Sequence, residues 1–203
     1  MPAALTLCDR STDMVQAWKR YFLDESGVKV VNQNILTLPI DALAVPANAF
    51  GFTDGGVDLA ISKEIFDWRL QDRLRALIDR DYGGELLVGQ ALVMPANSGR
   101  LRFVVVAPTM RVPADVSNTV NAYLAMRAIL RAVEAHNRAN KASPGDQIRA
   151  LAVPGMCTGT GTMPPERAAY QMWTAYRSII MGDLEWTKTL EKQLDLDKKM
   201  RER

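Results

Sequence analysis

The stretch from residue 46 to residue 61, PANAFGFTDGGVDLAI, guides the interpretation of the rest of the sequence. An apolar segment that predicts a strand, residues 42–45, precedes it, and an amphipathic segment that predicts a helix follows it. Between them stand one amide, two adjacent glycines and two carboxylates: Asn48, Gly55, Gly56, Asp54 and Asp58. Adjacent glycines let a backbone approach a ligand closely, and loops between rigid elements often carry binding groups. The same residues also form ordinary turns, so this segment alone leaves both interpretations open.

Composition is typical of a globular protein and excludes few classes of function. The chain has 203 residues, of which 48% are hydrophobic and 24% charged, and this predicts one domain over residues 1–203. A formal charge of +2 gives no reason to expect nucleic acid or acidic membrane as a partner. Cys8 and Cys157 lie too far apart for a disulfide framework or a metal-binding motif. Because no membrane-length apolar run or signal peptide is present, we expect a cytoplasmic protein.

Apolar segments alternate with amphipathic ones along the whole chain. Strands are predicted at residues 5–7, 28–31, 42–45, 91–94, 103–107 and 148–153, and long helices at residues 115–137 and 165–180. This alternation predicts an α/β layered fold with a largely parallel central sheet. Ligands of such sheets bind beyond the carboxyl ends of the strands. The loop after residue 45 and the loop after residue 153 both leave strands there, so we expect them to share one crevice.

The second loop, residues 154–165, has the sequence PGMCTGTGTMPP. Its glycines alternate with hydroxyl residues, in the order Gly155, Thr158, Gly159, Thr160, Gly161 and Thr162. A predicted helix begins at Pro165, a residue suited to a first helical position. Open amides beside a helix N-terminus favour an anion such as a phosphate or diphosphate. The loop lacks the Gly-Lys-Ser/Thr of a Walker motif and does not follow the first strand as a dinucleotide fingerprint does.

Together, the two loops resemble those of the macro domain, the ADP-ribose-binding α/β module, and are most similar to its MacroD-type hydrolase branch. The family's Asn-Ala-Ala-Asn and Gly-Gly-Val-Asp correspond here to Val45-Pro-Ala-Asn48 and Gly55-Gly-Val-Asp58. Its diphosphate loop corresponds to residues 157–164, and its Gly-Asp-Ile to Gln33-Asn-Ile35. The resemblance covers about residues 28–181 and implies a three-layer α/β/α fold with a mixed, largely parallel sheet. Residues 1–27 then form a strand–helix extension, and residues 182–203 a helical tail.

The resemblance also implies roles for individual residues. Asp58, aided by Asn48 on the distal ribose, would direct a water at an ester-linked ADP-ribosyl group or O-acetyl-ADP-ribose. The ligand-binding residues would be Asn34, Ile35, Gly55, Gly56, Val57, Cys157, Thr158, Gly159, Thr160, Gly161, Thr162 and Met163. Asp54 is predicted to cap the following helix. The expected partner is ADP-ribose or an ADP-ribosylated protein or small molecule, with no cofactor and no metal.

Several departures from the family pattern favour an alternative, a non-catalytic reader or sequestering module for ADP-ribose or a related nucleotide. Asn34 replaces an acidic residue that accepts a hydrogen bond from the adenine amino group, and a neutral acceptor contributes less than a charged one. Val45 replaces an asparagine that orders the loop. Met163 stands where an aromatic ring usually packs, and Ser62 where the hydrolase branch often has histidine. A nucleic-acid role ranks third.

The remaining features give weaker signals. Cys157 in a glycine loop suggests a nucleophile, but the one histidine, His136, lies near the end of a predicted helix. In the tail, Trp186, Leu190 and Leu194 recur at helical spacing. They predict an amphipathic helix that packs on the domain or on a second subunit, so the chain is expected to be a monomer or a weak homo-oligomer.

Overall fold

A computed structural model describes residues 3–52, 68–96 and 101–203, with the backbone alone described for Trp68. Its strands are β1 Ala4–Asp9, β2 Val28–Asn32, β3 Ala42–Asn48, β4 Leu92–Pro95, β5 Phe103–Met110 and β6 Ala150–Val153. Its α-helices are α1 Thr12–Tyr21, α2 Trp68–Tyr82, α3 Asn121–Ala139, α4 Pro165–Ile179 and α5 Leu190–Glu202. None of these helices is long and apolar enough to cross a membrane.

The strands form one sheet in the order β2-β1-β6-β3-β5-β4. The pairs from β2 to β5 are parallel, and β4 pairs antiparallel with β5. This mixed, largely parallel sheet confirms the fold class expected from the sequence. The order also places the carboxyl ends of β1, β6 and β3 next to one another along one edge.

Helices cover both faces of the sheet, which explains the continuous apolar runs in its strands. Along β5, Val105 belongs to the core cluster under α1, α3 and α4, while Val104 belongs to the cluster under α2. The first cluster includes Trp18 from α1, which is fully buried. The second includes Leu74 from α2, also fully buried. These two cores make the fold a three-layer α/β/α structure.

One predicted helix begins later than expected, at Asn121 rather than at residue 115. Polar side chains before it form local turns that compete with the helical hydrogen bonds. The Asp115 carboxylate accepts from the Ser117 backbone N–H at 2.8 Å, and the Thr119 hydroxyl donates to the Val116 carbonyl at 2.7 Å. These turns leave residues 115–120 as a separate segment before α3.

The tail forms a helix, but Leu190 and Leu194 do not pack on the domain, so their contact with a second subunit stays a prediction. Leu190 is 68% exposed and Leu194 62% exposed, whereas Met200 is 5% exposed and buried in the core. The reason is that Trp186 lies in a 3-10 turn before α5, so it does not share helical spacing with the two leucines. The face that packs on the domain is the one carrying Leu196 and Met200.

Candidate functional site

Adjacent strands bring the two predicted loop regions to the same edge of the sheet. β3 pairs with β6 in parallel, with Ala42 opposite Leu151. Asn48 therefore ends β3 on the side where residues 154–164 leave β6. At the far side of β1, β2 ends at Asn32, and Asn34 follows it. Asn34, the glycine loop and Asn48 thus follow β2, β6 and β3, over three strand spacings or ~14 Å.

The glycine loop turns sharply and is held by its own backbone. Cys157 and Thr162 have left-handed backbone angles, with φ of 67° and 53°. The Met163 N–H donates to the Cys157 carbonyl at 3.0 Å, and the Thr162 N–H to the Gly159 carbonyl at 2.9 Å. A Cβ on Gly161 would lie 2.6 Å from the Cys157 carbonyl oxygen, so only glycine fits there.

Within the described residues, the loop leaves several backbone amides without a hydrogen-bond acceptor. Among hydrogen bonds of the described residues, none uses the backbone N–H of Thr158, Gly159, Thr160 or Gly161 as donor. Gly159 and Thr160 are exposed. Shortly after the loop, α4 begins at Pro165 with no side-chain cap. Backbone donors beside a helix N-terminus provide the chemistry of an anion site.

Asp9 anchors the start of this loop and was not found by sequence reasoning. It ends β1 and is only 7% exposed. One carboxylate oxygen accepts from the Gly155 N–H at 3.1 Å, and the other from the Ser11 N–H at 2.8 Å. The one sequence signal was an acidic residue at the end of an apolar strand beside Ser11, the N-cap of α1. Its partner lies 146 positions away.

Three predicted ligand-binding residues point their side chains into the core. Ile35 is 6% exposed, Cys157 is 4% exposed and Met163 is 2% exposed. Burial raises the pKa of the Cys157 thiol to about 12, so it stays protonated at neutral pH. These residues therefore offer a ligand mainly their backbone groups. Burial also makes Cys157 unsuited to act as a nucleophile, and Met163 unsuited to pack over a ribose.

Asn34 and Asn48 each use their side-chain oxygen to hold the backbone of their own loop. Asn34 caps a 3-10 helix, Ile35–Thr37, by accepting from the Leu36 N–H at 3.1 Å. The Asn48 oxygen accepts from two backbone N–H groups, those of Phe50 and Phe52, both at 3.0 Å. Both asparagines are partly exposed. Within the part of the chain that the structure describes, neither NH₂ group donates a hydrogen bond.

Two arginines outside the sequence motifs cover the aromatic side chains next to Asn48. The guanidinium carbon of Arg111 lies 5.2 Å from the centre of the Phe50 ring, and that of Arg75 lies 4.9 Å from the Phe52 ring. Arg111 also pairs with Glu85, and this bond lowers the pKa of that carboxyl. Cations therefore border the β3 end of the site.

The carboxylate of Asp115 borders the glycine loop. Hydrogen bonds from the Ser117 hydroxyl, the Ser117 backbone and the Thr162 hydroxyl lower the pKa of Asp115. Asp115 is therefore negatively charged beside the amides expected to hold a diphosphate.

Five residues singled out in the first loop, Gly55, Gly56, Val57, Asp58 and Ser62, lie outside the described residues, as does Asp54. In the rest of the chain, no three His, Cys, Asp or Glu side chains come together as a metal site would require.

A cavity of about 1020 Å³ lies at the opposite end of the sheet. It is lined by residues at the amino ends of strands, such as Leu5 and Val28, and by the far end of α3, including Asn137. It is thus distinct from the loop region at the carboxyl ends.

Comparison with known proteins finds a matching family model and a related sequence. A family model described as "Macro domain" matches residues 44–172. An uncharacterized protein of Aquifex aeolicus (strain VF5) is 29% identical over 175 residues, covering 85% of this chain and 92% of the relative.

Solved structures share the fold at low sequence identity. The macrodomain of Mycobacterium tuberculosis DarG has a TM-score of 0.55 and 16% identity, over 71% of this chain and 86% of its own. The Oceanobacillus iheyensis macrodomain with ADP has a TM-score of 0.58 and 17% identity, and the match covers 74% of this chain and 75% of that chain. Thermosipho africanus DarTG in complex with ADP-ribose has a TM-score of 0.53 and 15% identity, and the match covers 72% of this chain and 36% of that chain.

Proposed function

Because the chain belongs to the macro domain family, we propose that it binds ADP-ribose or a close derivative at the carboxyl edge of its sheet. The observation that carries this proposal is the order of groups along that edge. Asn34, the open amides of residues 158–161 and Asn48 follow β2, β6 and β3. Adenine, diphosphate and distal ribose follow one another in the same order in ADP-ribose. The complex of T. africanus DarTG with ADP-ribose is consistent with this ligand class.

The diphosphate, the distal ribose and the adenine of ADP-ribose would each face a group that can hydrogen-bond to it. The glycine loop would hold the diphosphate through the open backbone N–H groups of residues 158–161, which requires no cationic side chain. The Asn48 NH₂ group would donate to a hydroxyl of the distal ribose. Asn34 would accept from the adenine amino group through the second lone pair of an oxygen that already caps Leu36.

We further propose that the bound ADP-ribosyl group is hydrolysed when an ester links it to a carboxylate or acetyl group. Asp58 would orient or deprotonate a water that attacks the anomeric carbon. The bond between the anomeric carbon and the ester oxygen then breaks, the carboxylate leaves with the bonding pair, Asp58 takes up the proton lost by the water, and ADP-ribose is released. Positioned general-base help of this kind contributes about 10²- to 10⁴-fold in rate.

Titration calorimetry with ADP-ribose, ADP and AMP tests the binding site. We expect ADP-ribose to bind most tightly, ADP less tightly because it lacks the distal ribose, and AMP least because it lacks the second phosphate. No heat of binding with ADP-ribose at millimolar concentration would rule out the proposed ligand. Equal affinity for ADP and AMP would show that the glycine loop does not hold the diphosphate.

Release of ADP-ribose from an Asp/Glu-modified protein tests the reaction. Asp58→Ala should lower turnover about 100-fold or more. Asp54→Ala provides the matched control, because this neighbouring carboxylate is predicted only to cap a helix. Equal turnover in both variants would exclude Asp58 from the mechanism.

A reader without turnover is the second candidate function. The observation that favours it is the neutral Asn34 with its oxygen already in use as a cap, together with the buried side chain of Met163. Tight ADP-ribose binding with no ADP-ribose released by the unaltered chain would establish this alternative.

A further inference from the structure

We propose that the C-terminal helix α5 and the buried Gln171 position the glycine loop, residues 154–164, by holding residues 115–120 against it. This inference rests on the proposed function, because it concerns the affinity of that site. It assigns a role to a tail that lies beyond the residues matched by the family model, 44–172.

The segment of residues 115–120 packs directly on the glycine loop. The Val116 N–H donates to the Gly161 carbonyl at 3.0 Å. The Val116 side chain is buried, and its Cγ2 atom would lie 2.7 Å from a Cβ on Gly161. Any movement of this segment therefore changes the position of the amides at residues 159–162.

On its other side, the segment presents three consecutive carbonyls, and each accepts a hydrogen bond from a different side chain. Ser117 accepts from Arg167 at 2.6 Å, Asn118 from Arg201 at 2.8 Å and Thr119 from Gln171 at 2.8 Å. Arg201 lies on α5, so the tail contacts the segment directly.

Gln171 joins its own helix, α4, to three other elements: α3, α5 and the segment. Its side chain is 0% exposed, and its oxygen accepts from the Tyr123 N–H at 3.1 Å. Its NH₂ group donates to the carbonyls of Thr119 and Met200, both at 2.8 Å. Glutamine alone among similarly sized side chains supplies one acceptor and two donors in this geometry. Since an unmade hydrogen bond in a buried position is costly, α4, α5 and the segment hold one another in register.

This network has a consequence for ligand binding. A loop already held in its bound shape loses little conformational entropy when the ligand arrives, and loosening it lowers affinity without removing any ligand contact. α5 therefore contributes to affinity from outside the cleft, and its residues are positioning residues.

Two ion pairs on α5 give a matched comparison. Arg201 pairs with Asp197 and Lys199 pairs with Asp195, both at i,i+4 on the exposed side of the helix. Only Arg201 also reaches the Asn118 carbonyl. Arg201→Ala therefore removes a helix ion pair and the contact with the segment, whereas Lys199→Ala removes an ion pair alone.

Amide hydrogen exchange, read at the Val116 N–H, and the Kd for ADP-ribose are measured for both variants. Arg201→Ala should raise the Val116 exchange rate and the Kd about fivefold, the effect of losing one hydrogen bond of ordinary strength. Lys199→Ala should change neither by more than about twofold. Exchange of the Ala49 N–H, which donates to the Arg111 carbonyl at 3.2 Å and makes no hydrogen bond with residues 115–120 or α5, should stay constant in both.

Each result is decisive. Equal Val116 exchange in the two point variants would overturn the positioning role. Faster exchange in Arg201→Ala with an unchanged Kd would overturn the link to affinity. Failure of the unaltered chain to bind ADP-ribose would instead reject the proposed function, and the exchange rates would still decide the role of α5.

Discussion

Replacing Gly161 with alanine adds a methyl group where the loop has no room for it. The new Cβ would lie 2.6 Å from the Cys157 carbonyl oxygen and 2.7 Å from Val116 Cγ2. The carbonyl belongs to the backbone and cannot rotate away as a side chain can. The loop must therefore shift, and the shift strains two hydrogen bonds, from Met163 to Cys157 and from Val116 to Gly161, both 3.0 Å long.

The size of the effect follows from these contacts. Overpacking costs about 1–3 kcal/mol, and each neutral hydrogen bond contributes about 0.5–1.5 kcal/mol. We expect the free energy of unfolding to fall by about 1–3 kcal/mol. If the displaced amides lose about 1.4–2.8 kcal/mol of ligand binding energy, the Kd for ADP-ribose rises about 10- to 100-fold.

Alanine substitutions at two other glycines provide comparisons for Gly161→Ala. A Cβ on Gly145 would meet no atom within 4 Å, so Gly145→Ala should leave both quantities unchanged. A Cβ on Gly155 would meet the Thr158 hydroxyl at 2.8 Å and an Asp9 carboxylate oxygen at 2.9 Å. Side chains yield more easily than backbone, so Gly155→Ala should be intermediate. Calorimetry with ADP-ribose and thermal unfolding measure the series. A folded Gly161→Ala protein that binds like Gly145→Ala would refute the assignment of this loop to the diphosphate.

Three further substitutions test separate parts of the site. Asn34→Asp keeps an acceptor for Leu36 and adds charge for the adenine amino group, so we expect about three- to tenfold tighter ADP-ribose binding; unaltered affinity in calorimetry would exclude this contact. Asp9→Asn should lower the free energy of unfolding by about 1–3 kcal/mol in urea titrations, because Gly155 or Ser11 then loses its acceptor. The folded-state pKa of Cys157, about 12, exceeds its ordinary value of 9.0. The thiol therefore ionises first in the unfolded chain, and the stability it contributes is constant below pH 9 and falls at higher pH by about 1.4 kcal/mol per pH unit. Urea titrations at pH 8 and pH 10 should show a larger loss of stability in the unaltered chain than in Cys157→Ala, where only Cys8, whose pKa burial also raises, is left as a buried thiol. An equal loss of stability in the two proteins would contradict the prediction.

The sequence by itself determined the elements and the fold class. Apolar periodicity is a local property, so it located the strands and the buried face of α3, with Tyr123, Met126, Leu130 and Val133 all buried. The order and spacing of the two glycine motifs identified the family, because close backbone approach restricts residue type at particular positions. Gly161 was singled out in this way, and the structure supplies the reason in its contact with the Cys157 carbonyl.

Only the tertiary structure decided which distant groups meet. Asp9 reaches Gly155 across 146 positions, and Arg201 reaches Asn118 across 83. A periodic pattern indicates that a face is apolar but carries no information about its partner, which is why the spacing of Leu190 and Leu194 did not show whether they pack on the domain. Hydrogen bonds such as those of Gln171 depend on where four elements lie relative to one another. That arrangement is set by packing of the whole core, and no local stretch of sequence encodes it.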